Sequence, residues 1–322
     1  MVVPMNEKIK IKKHTNGVAK GILIYQLIMM AVSILVPLIK VIQVALHYAK
    51  DAELDQKVNA VLEQSMNSGM GMIISLALGL LLLFFYFRKQ EFSKKLFNKN
   101  KSMKISSFCF NFVLFMSAQA IFMVISAGSE SILNLFGYSI MAEIESATGQ
   151  STMLSMFLYV SFLGPIAEEV IFRGFVMRAF EGFGKTTAIV CSAILFGAFH
   201  GNLIQGIFAA AVGLVLGYVA MEYSIYWSII VHIINNFVFG DLWSYAVGRL
   251  NETLQQILFG VFHGSFFLGA VILIFLKRKE IKNYWEQNRG EKGIYKIIFT
   301  SFWLLLFMTL QLGIGLMGIH KI

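Results

Sequence analysis

The segment Gly164-Pro165-Ile166-Ala167-Glu168-Glu169-Val170-Ile171-Phe172-Arg173-Gly174 sets two adjacent carboxylates and an arginine between apolar runs, Thr152 to Leu163 before it and Phe175 to Met177 after. In a chain this hydrophobic, such a cluster falls inside or at the edge of a membrane span. An ionisable group at that depth costs at least a few kcal/mol, which marks the segment as a functional-site candidate. On a helix Glu169 and Arg173 are i,i+4 neighbours and can neutralise one another. Glu168 points about 100° away around the same helix and needs a different partner.

The whole composition agrees with a membrane setting. The 322 residues are 57% apolar and only 14% charged, with a mean hydropathy of +0.70. A soluble domain carries nearer a quarter charged residues, so the expected fold class is all-α, a polytopic membrane helical bundle. Cys109 and Cys191 each fall inside an expected span and read as small apolar side chains rather than a disulfide or metal pair. The first apolar stretch is too long for a signal-peptide core and lacks a small-residue cleavage signature, so it reads as a retained span.

Nine transmembrane helices are expected, eight being the alternative. They run approximately over 21–46, 66–87, 105–127, 151–178, 186–199, 203–221, 225–239, 257–276 and 297–317. Most approach the ~20 apolar residues that a bilayer requires; the fifth and seventh are short. Three regions follow from them. Residues 1–150 form an N-terminal membrane region of three spans, 151–242 a polar-studded core of four, and 243–322 a C-terminal region of two.

Charge on alternate connections tests the count. Of the 27 Lys and Arg, 22 lie at the N-terminus, around residues 88–104, around 173–185 and over 277–296. The other side holds Lys50, Lys57, Arg249 and Lys321, with acidic Asp51, Glu53, Asp55 and Glu63 among them. The positive-inside rule then makes the N-terminus cytoplasmic and, with an odd number of spans, the C-terminus external. The formal charge of +9 is thus explained by orientation and contact with anionic membrane lipids, and no nucleic-acid partner is expected.

Further polar residues interrupt the fifth to seventh spans. Phe196-Gly197-Ala198-Phe199-His200-Gly201-Asn202 ends an apolar helix in a histidine, and in His232-Ile233-Ile234-Asn235-Asn236 the histidine and Asn236 share a helix face. Gln205 is a weaker signal, and His263 in the eighth span is an outlier. A lone intramembrane histidine is most often a packing residue. Helical rise changes that, placing Glu168, His200, His232 and Asn236 roughly 15, 22, 12 and 18 Å above the cytoplasmic surface. With tilt, all four can converge near the middle of a ~30 Å core. A carboxylate beside a histidine can deprotonate a water, and a second histidine with an amide can donate to an oxyanion. Those parts suit amide hydrolysis by an activated water. The chain contains no His-Glu-x-x-His and no Gly-x-Ser-x-Gly, and Asp241 has no partner aspartate in any span.

Taken in series, Glu168-Glu169-x-x-x-Arg173, Phe196-x-x-x-His200 and His232-x-x-x-Asn236 resemble the three motifs of the CPBP intramembrane proteases, also called the CAAX prenyl protease 2 or Abi family, which includes bacteriocin self-immunity proteins. The resemblance covers about Met153 to Gly240. It implies a helical peptidase of the cell membrane acting on a membrane-associated protein or peptide. By the same resemblance Glu168 is the general base, His200 its partner on the water, His232 and Asn236 the oxyanion-stabilising pair, and Glu169 with Arg173 a supporting pair. The family has been described both as metalloproteases and as metal-free glutamate proteases. Glu168, His200 and His232 could supply three ligands to a catalytic zinc, and no other cofactor is expected. The alternative function is a non-catalytic immunity or peptide-binding membrane protein. A transporter is a third reading, against which stands the lack of a convincing internal repeat.

Overall fold

The computed structural model describes residues 4–49, 53–148 and 153–322. Lys50, Asp51 and the expected start of the fourth span at Ser151, with the boundary between the first two regions, lie outside the described residues.

The described chain is almost entirely helical. Its elements are α1 (Met5–His47), α2 (Leu54–Asn67), α3 (Met70–Phe87), α4 (Ile105–Leu135), α5 (Met141–Thr148), α6 (Leu154–Phe183), α7 (Lys185–Phe199), α8 (Leu203–Glu222), α9 (Ile225–Val247), α10 (Glu252–Asn288), α11 (Ile294–Phe299) and α12 (Phe302–Met317). Seven of these, α1, α3, α4, α6, α8, α9 and α10, are long and apolar enough to cross a membrane; α7 and α12 are shorter apolar helices. Each expected span therefore has a helix. The lysines at residues 8–20 lie on the first turns of α1, which starts directly after Pro4. The ninth span is interrupted, because the chain leaves the helix at Thr300 and Ser301 before α12 begins.

The two ends of the bundle gather different connections. At one end Lys101 and Lys185 both reach Glu222, Asn16 caps Trp303 N–H, and Lys99 pairs with Ser224 in an isolated bridge. At the other, β1 (Tyr138–Ser139) pairs antiparallel with β2 (His320–Lys321), and Glu143 binds Leu203 N–H. The connections grouped at each end are those that the charge alternation assigns to one side.

Burial is concentrated around the middle of the chain. Ile171, Phe172, Phe175, Val176, Met177 and Phe180 of α6 are each at most 1% exposed, and they pack on Leu195, Phe196, Leu216 and Val231 of the next three helices. In α10, by contrast, only 6% of the apolar stretch is buried, so its Leu268, Phe275 and Leu276 face outward as a lipid-contacting helix does. Helices α7 and α8 meet at Gly197 and Gly206: a Cβ on Gly197 would lie 2.4 Å from Gly206 O, a distance only glycine permits.

Candidate active site

Glu169 and Arg173 meet as their spacing requires. Glu169 Oε1 lies 3.0 Å from Arg173 Nη1, and both side chains are 0% exposed. The guanidinium sits 4.3 Å from the centre of the Phe196 ring and approaches Gly213 O at 3.5 Å. His232 joins from α9, its Nδ1 2.9 Å from the same Glu169 oxygen. A carboxylate can only accept when ionised, so this nitrogen carries the proton and donates. The opposite nitrogen, Nε2, lies 3.6 Å from Glu168 Oε2.

Two consecutive glutamates thus address the two nitrogens of one imidazole from different environments. Glu169 is sealed among α6, α8 and α9, whereas the Glu168 side chain keeps 26% of its exposure. The 100° step of the helix separates a carboxylate held by its neighbours from one free to meet a water or a substrate.

His200 follows the last turn of α7. Its Nδ1 bonds Phe196 O at 2.8 Å, which makes that nitrogen the donor and leaves the Nε2 lone pair free. Glu168 and His232 lie within its electrostatic reach. The Phe196 ring meets His200 edge-on at 4.9 Å and His232 at 6.0 Å, so one aromatic side chain packs against both imidazoles and the arginine. The helix stops here because Gly201 adopts φ +60, a left-handed turn that glycine enters without steric cost. Asn202 then caps α8, its Oδ1 accepting from Gln205 N–H at 2.8 Å and its Nδ2 donating to Glu143 O at 2.8 Å. The Asn202 and Gln205 of the sequence signal are therefore parts of a cap that fixes the His200 turn.

Asn236 lies in a different hydrogen-bond set from the imidazoles. Its Nδ2 donates to Val160 O at 3.0 Å and its Oδ1 accepts from Asn235 at 2.9 Å. Among the described residues His232 is held by the two glutamates and Asn236, one turn on, by Val160 O and Asn235. From Ile234 to Trp243 the helix widens to π-helical turns, and Asn236 comes to face the equally widened turn Tyr159–Leu163 of α6.

The proposed zinc set does not assemble. No group of three or more His, Cys, Asp or Glu among the described residues stands close enough to hold a metal ion. Both histidines have Nδ1 on an acceptor, Phe196 O and Glu169, and keep Nε2 open as a ligating imidazole does, so it is the spacing of the three groups and not their chemistry that fails. Glu168, His200 and His232 therefore do not fit a zinc site, and no step below is routed through one.

Two tyrosines complete the surroundings of Glu168. Tyr25 of α1 is 3% exposed, touches Phe199, and lies with Tyr159 in electrostatic reach of Glu168. A tyrosine in an apolar span looks like any other aromatic. Ser161 donates to Asp241, so the aspartate without an aspartyl partner ties α9 to α6. His263 packs face to face on Phe259 of its own helix, 5.9 Å between ring centres.

Residues 150–238 match the family described as Rce1-like, type II CAAX prenyl endopeptidase. The matched segment runs through α6, α7 and α8 into α9 and contains Glu168, Glu169, Arg173, His200, His232 and Asn236. It agrees with the resemblance to the CPBP proteases and supports peptidase activity at the level of the family; with seven helices of spanning length it points to a multi-pass membrane protein. No curated protein and no solved structure matches the chain.

Proposed function

We propose that the chain is an intramembrane endopeptidase of the cell membrane that hydrolyses a peptide bond in a membrane-associated protein or peptide. The observation that carries this reading is the pair of glutamates on one imidazole. Glu169 is fixed by Arg173 and His232, while Glu168 stays accessible beside His232 Nε2 and within reach of His200.

In the proposed reaction a water between Glu168 and His200 gives its proton to the Glu168 carboxylate as its oxygen attacks the scissile carbonyl carbon. The C=O electron pair moves onto oxygen, and the second N–H of Asn236 stabilises that oxyanion; His232 adds a donor only where Nε2 also carries a proton, because its Nδ1–H is given to Glu169. Collapse re-forms the C=O, breaks the C–N bond, and returns the proton from Glu168 to the leaving amine. Glu169 and Arg173 hold His232 in register. Nine crossings with a cytoplasmic N-terminus complete the proposal, supported by the same-side connections gathered at each end of the bundle.

The test uses the purified protein in liposomes with a self-quenched reporter peptide, farnesylated at a CAAX cysteine, beside its unprenylated counterpart. Glu168→Gln and His200→Ala should each lower kcat by about 10²–10⁴ while the melting temperature holds. Cleavage at the wild-type rate in either variant rules the mechanism out. Equal cleavage of both peptides would separate this protein from prenyl-dependent enzymes.

A further inference from the structure

We propose that Gln119, on α4 and outside the matched segment, is a positioning residue that fixes how Asn236 presents its amide. Its catalytic meaning rests on the oxyanion role proposed above; the hydrogen-bond relay itself does not.

The relay starts from a defect in α6. Gly164 N–H bonds Tyr159 O, five residues back, and Pro165 has no N–H. Val160 O is thereby deprived of a donor from its own helix at both i+4 and i+5. A backbone carbonyl without a partner in an apolar setting is costly, and Asn236 Nδ2 supplies the missing bond at 3.0 Å.

That bond sets the direction of everything behind it. A carbonyl only accepts, so Asn236 must turn its NH₂ towards Val160 and its Oδ1 away. Asn235 Nδ2 donates to that Oδ1 at 2.9 Å, and Gln119 Nε2 donates to Asn235 Oδ1 at 2.9 Å. Three amides from α4 and α9 therefore point one way, ending on α6. Reversing any one of them would set two acceptors or two donors face to face. An amide NH₂ has two hydrogens, and Val160 O uses one. The second N–H of half-buried Asn236 remains to donate. Because a carbonyl points along its helix towards the C-terminus, Val160 O faces Glu168 from roughly two turns before it on the same helix.

Gln119 closes the far end. It satisfies Asn235 Oδ1, which would otherwise be free to turn and draw Asn236 round with it. The apolar face of α4 could pack there with a leucine of similar size, so an amide is retained for its donor.

Gln119→Leu tests this in two measurements on the full-length protein. With the liposome reporter peptide it should lower kcat about tenfold at unchanged KM, short of the ~10²–10³ lost with Asn236→Ala itself. In the double variant the two losses should not multiply, because the relay no longer has an end to position. Multiplying losses, or a change confined to KM, overturn the proposal. Melting temperatures of Gln119→Leu, Asn236→Ala and the double variant give a second cycle that needs no substrate. Coupling between these two residues, which share no direct hydrogen bond among the described residues, supports the relay, and additive shifts overturn it. If the reporter is not cleaved at all, the peptidase reading fails while this stability cycle still decides the relay. If Asn236→Ala leaves kcat unchanged, the oxyanion role fails separately.

Discussion

Glu169 and Glu222 are both buried carboxylates bound by more than one donor, yet they have opposite surroundings. Glu169 shares its Oε1 between Arg173 and His232, and all three side chains are at most 7% exposed. Glu222, at the end of α8, takes Lys101 at 2.6 Å, Lys185 at 2.7 Å and Tyr284 at 3.0 Å, but the lysine side chains are 69% and 41% exposed. The first cluster is shut away from water, with Glu169 Oε2 and Arg173 Nε left without a hydrogen-bond partner among the described residues. The second keeps its cations in water and uses one sheltered anion to hold three segments together. Depth therefore decides what the same chemistry does: the inner cluster holds a site in one geometry, and the outer one is a clasp at the end of the bundle.

The largest expected effect is on the inner cluster. Arg173→Ala leaves the Glu169 charge without its cation in a dry interior and should cost about 3–5 kcal/mol of stability. Glu169→Gln does the same to Arg173. Removing both charges with Glu169→Leu and Arg173→Met should restore much of the melting temperature, since a well-packed apolar pair can replace a buried ion pair. Cleavage should not return, because His232 Nδ1 then lacks the acceptor that fixes its tautomer. Recovery of activity in the double variant would show that the pair serves stability alone and would dissolve the contrast with Glu222.

Glu222→Gln comes next. Hydrogen bonds to a charged group contribute about 1.5–3 kcal/mol, and the exposure of both lysines lowers the return, so a loss of about 1–2 kcal/mol is expected with kcat unchanged. Salt separates the two clusters further. Raising ionic strength should weaken the Glu222 clasp and spare the Glu169 pair, because exposed charges are screened and buried ones are not. Melting curves at low and high salt for wild type and Glu222→Gln check this; equal salt sensitivity with and without the carboxylate contradicts it.

How much of this was legible beforehand follows the same division. The i,i+4 pair Glu169 and Arg173 was readable because the two lie about one turn apart on one helix, and they still meet although Val170–Val176 widens to π-helical turns. The approach of Glu168 to His232 was readable because helical rise fixes depth. Partner choice between helices was not. Asn236 takes Val160 O where α6 and α9 widen their turns at 159–163 and 234–243, and a 3.6-residue period carries no trace of that. Pro165 was the available clue, since a missing N–H leaves a carbonyl to be satisfied by another element. Gln119 could have been noticed as an amide in an apolar span. Tyr25 offered nothing, being one aromatic among many, and Glu222 hid at a helix end where a charge is ordinary.

Glu143 gives the smallest expected effect and the cleanest control, because it is a sheltered carboxylate that no cation pairs with among the described residues. It lies on α5 at the opposite end of the bundle from Glu222, and its Oε2 accepts from Leu203 N–H at 2.8 Å. Burial raises its pKa, and the Leu203 bond only partly opposes that. A carboxyl whose folded-state pKa is raised holds its proton more tightly in the folded chain. Its contribution to stability is therefore present on the acid side and lost as pH rises through the folded value. Glu143→Gln keeps the acceptor for Leu203 and removes the charge. The variant should match wild type at about pH 4 and become the more stable of the two as the carboxyl ionises towards pH 7, by less than either change above. Other titrating groups are common to both proteins and cancel in the difference. A wild type that gains on the variant as pH rises would mean that Glu143 has a cationic partner after all, and that all three carboxylates are held the same way.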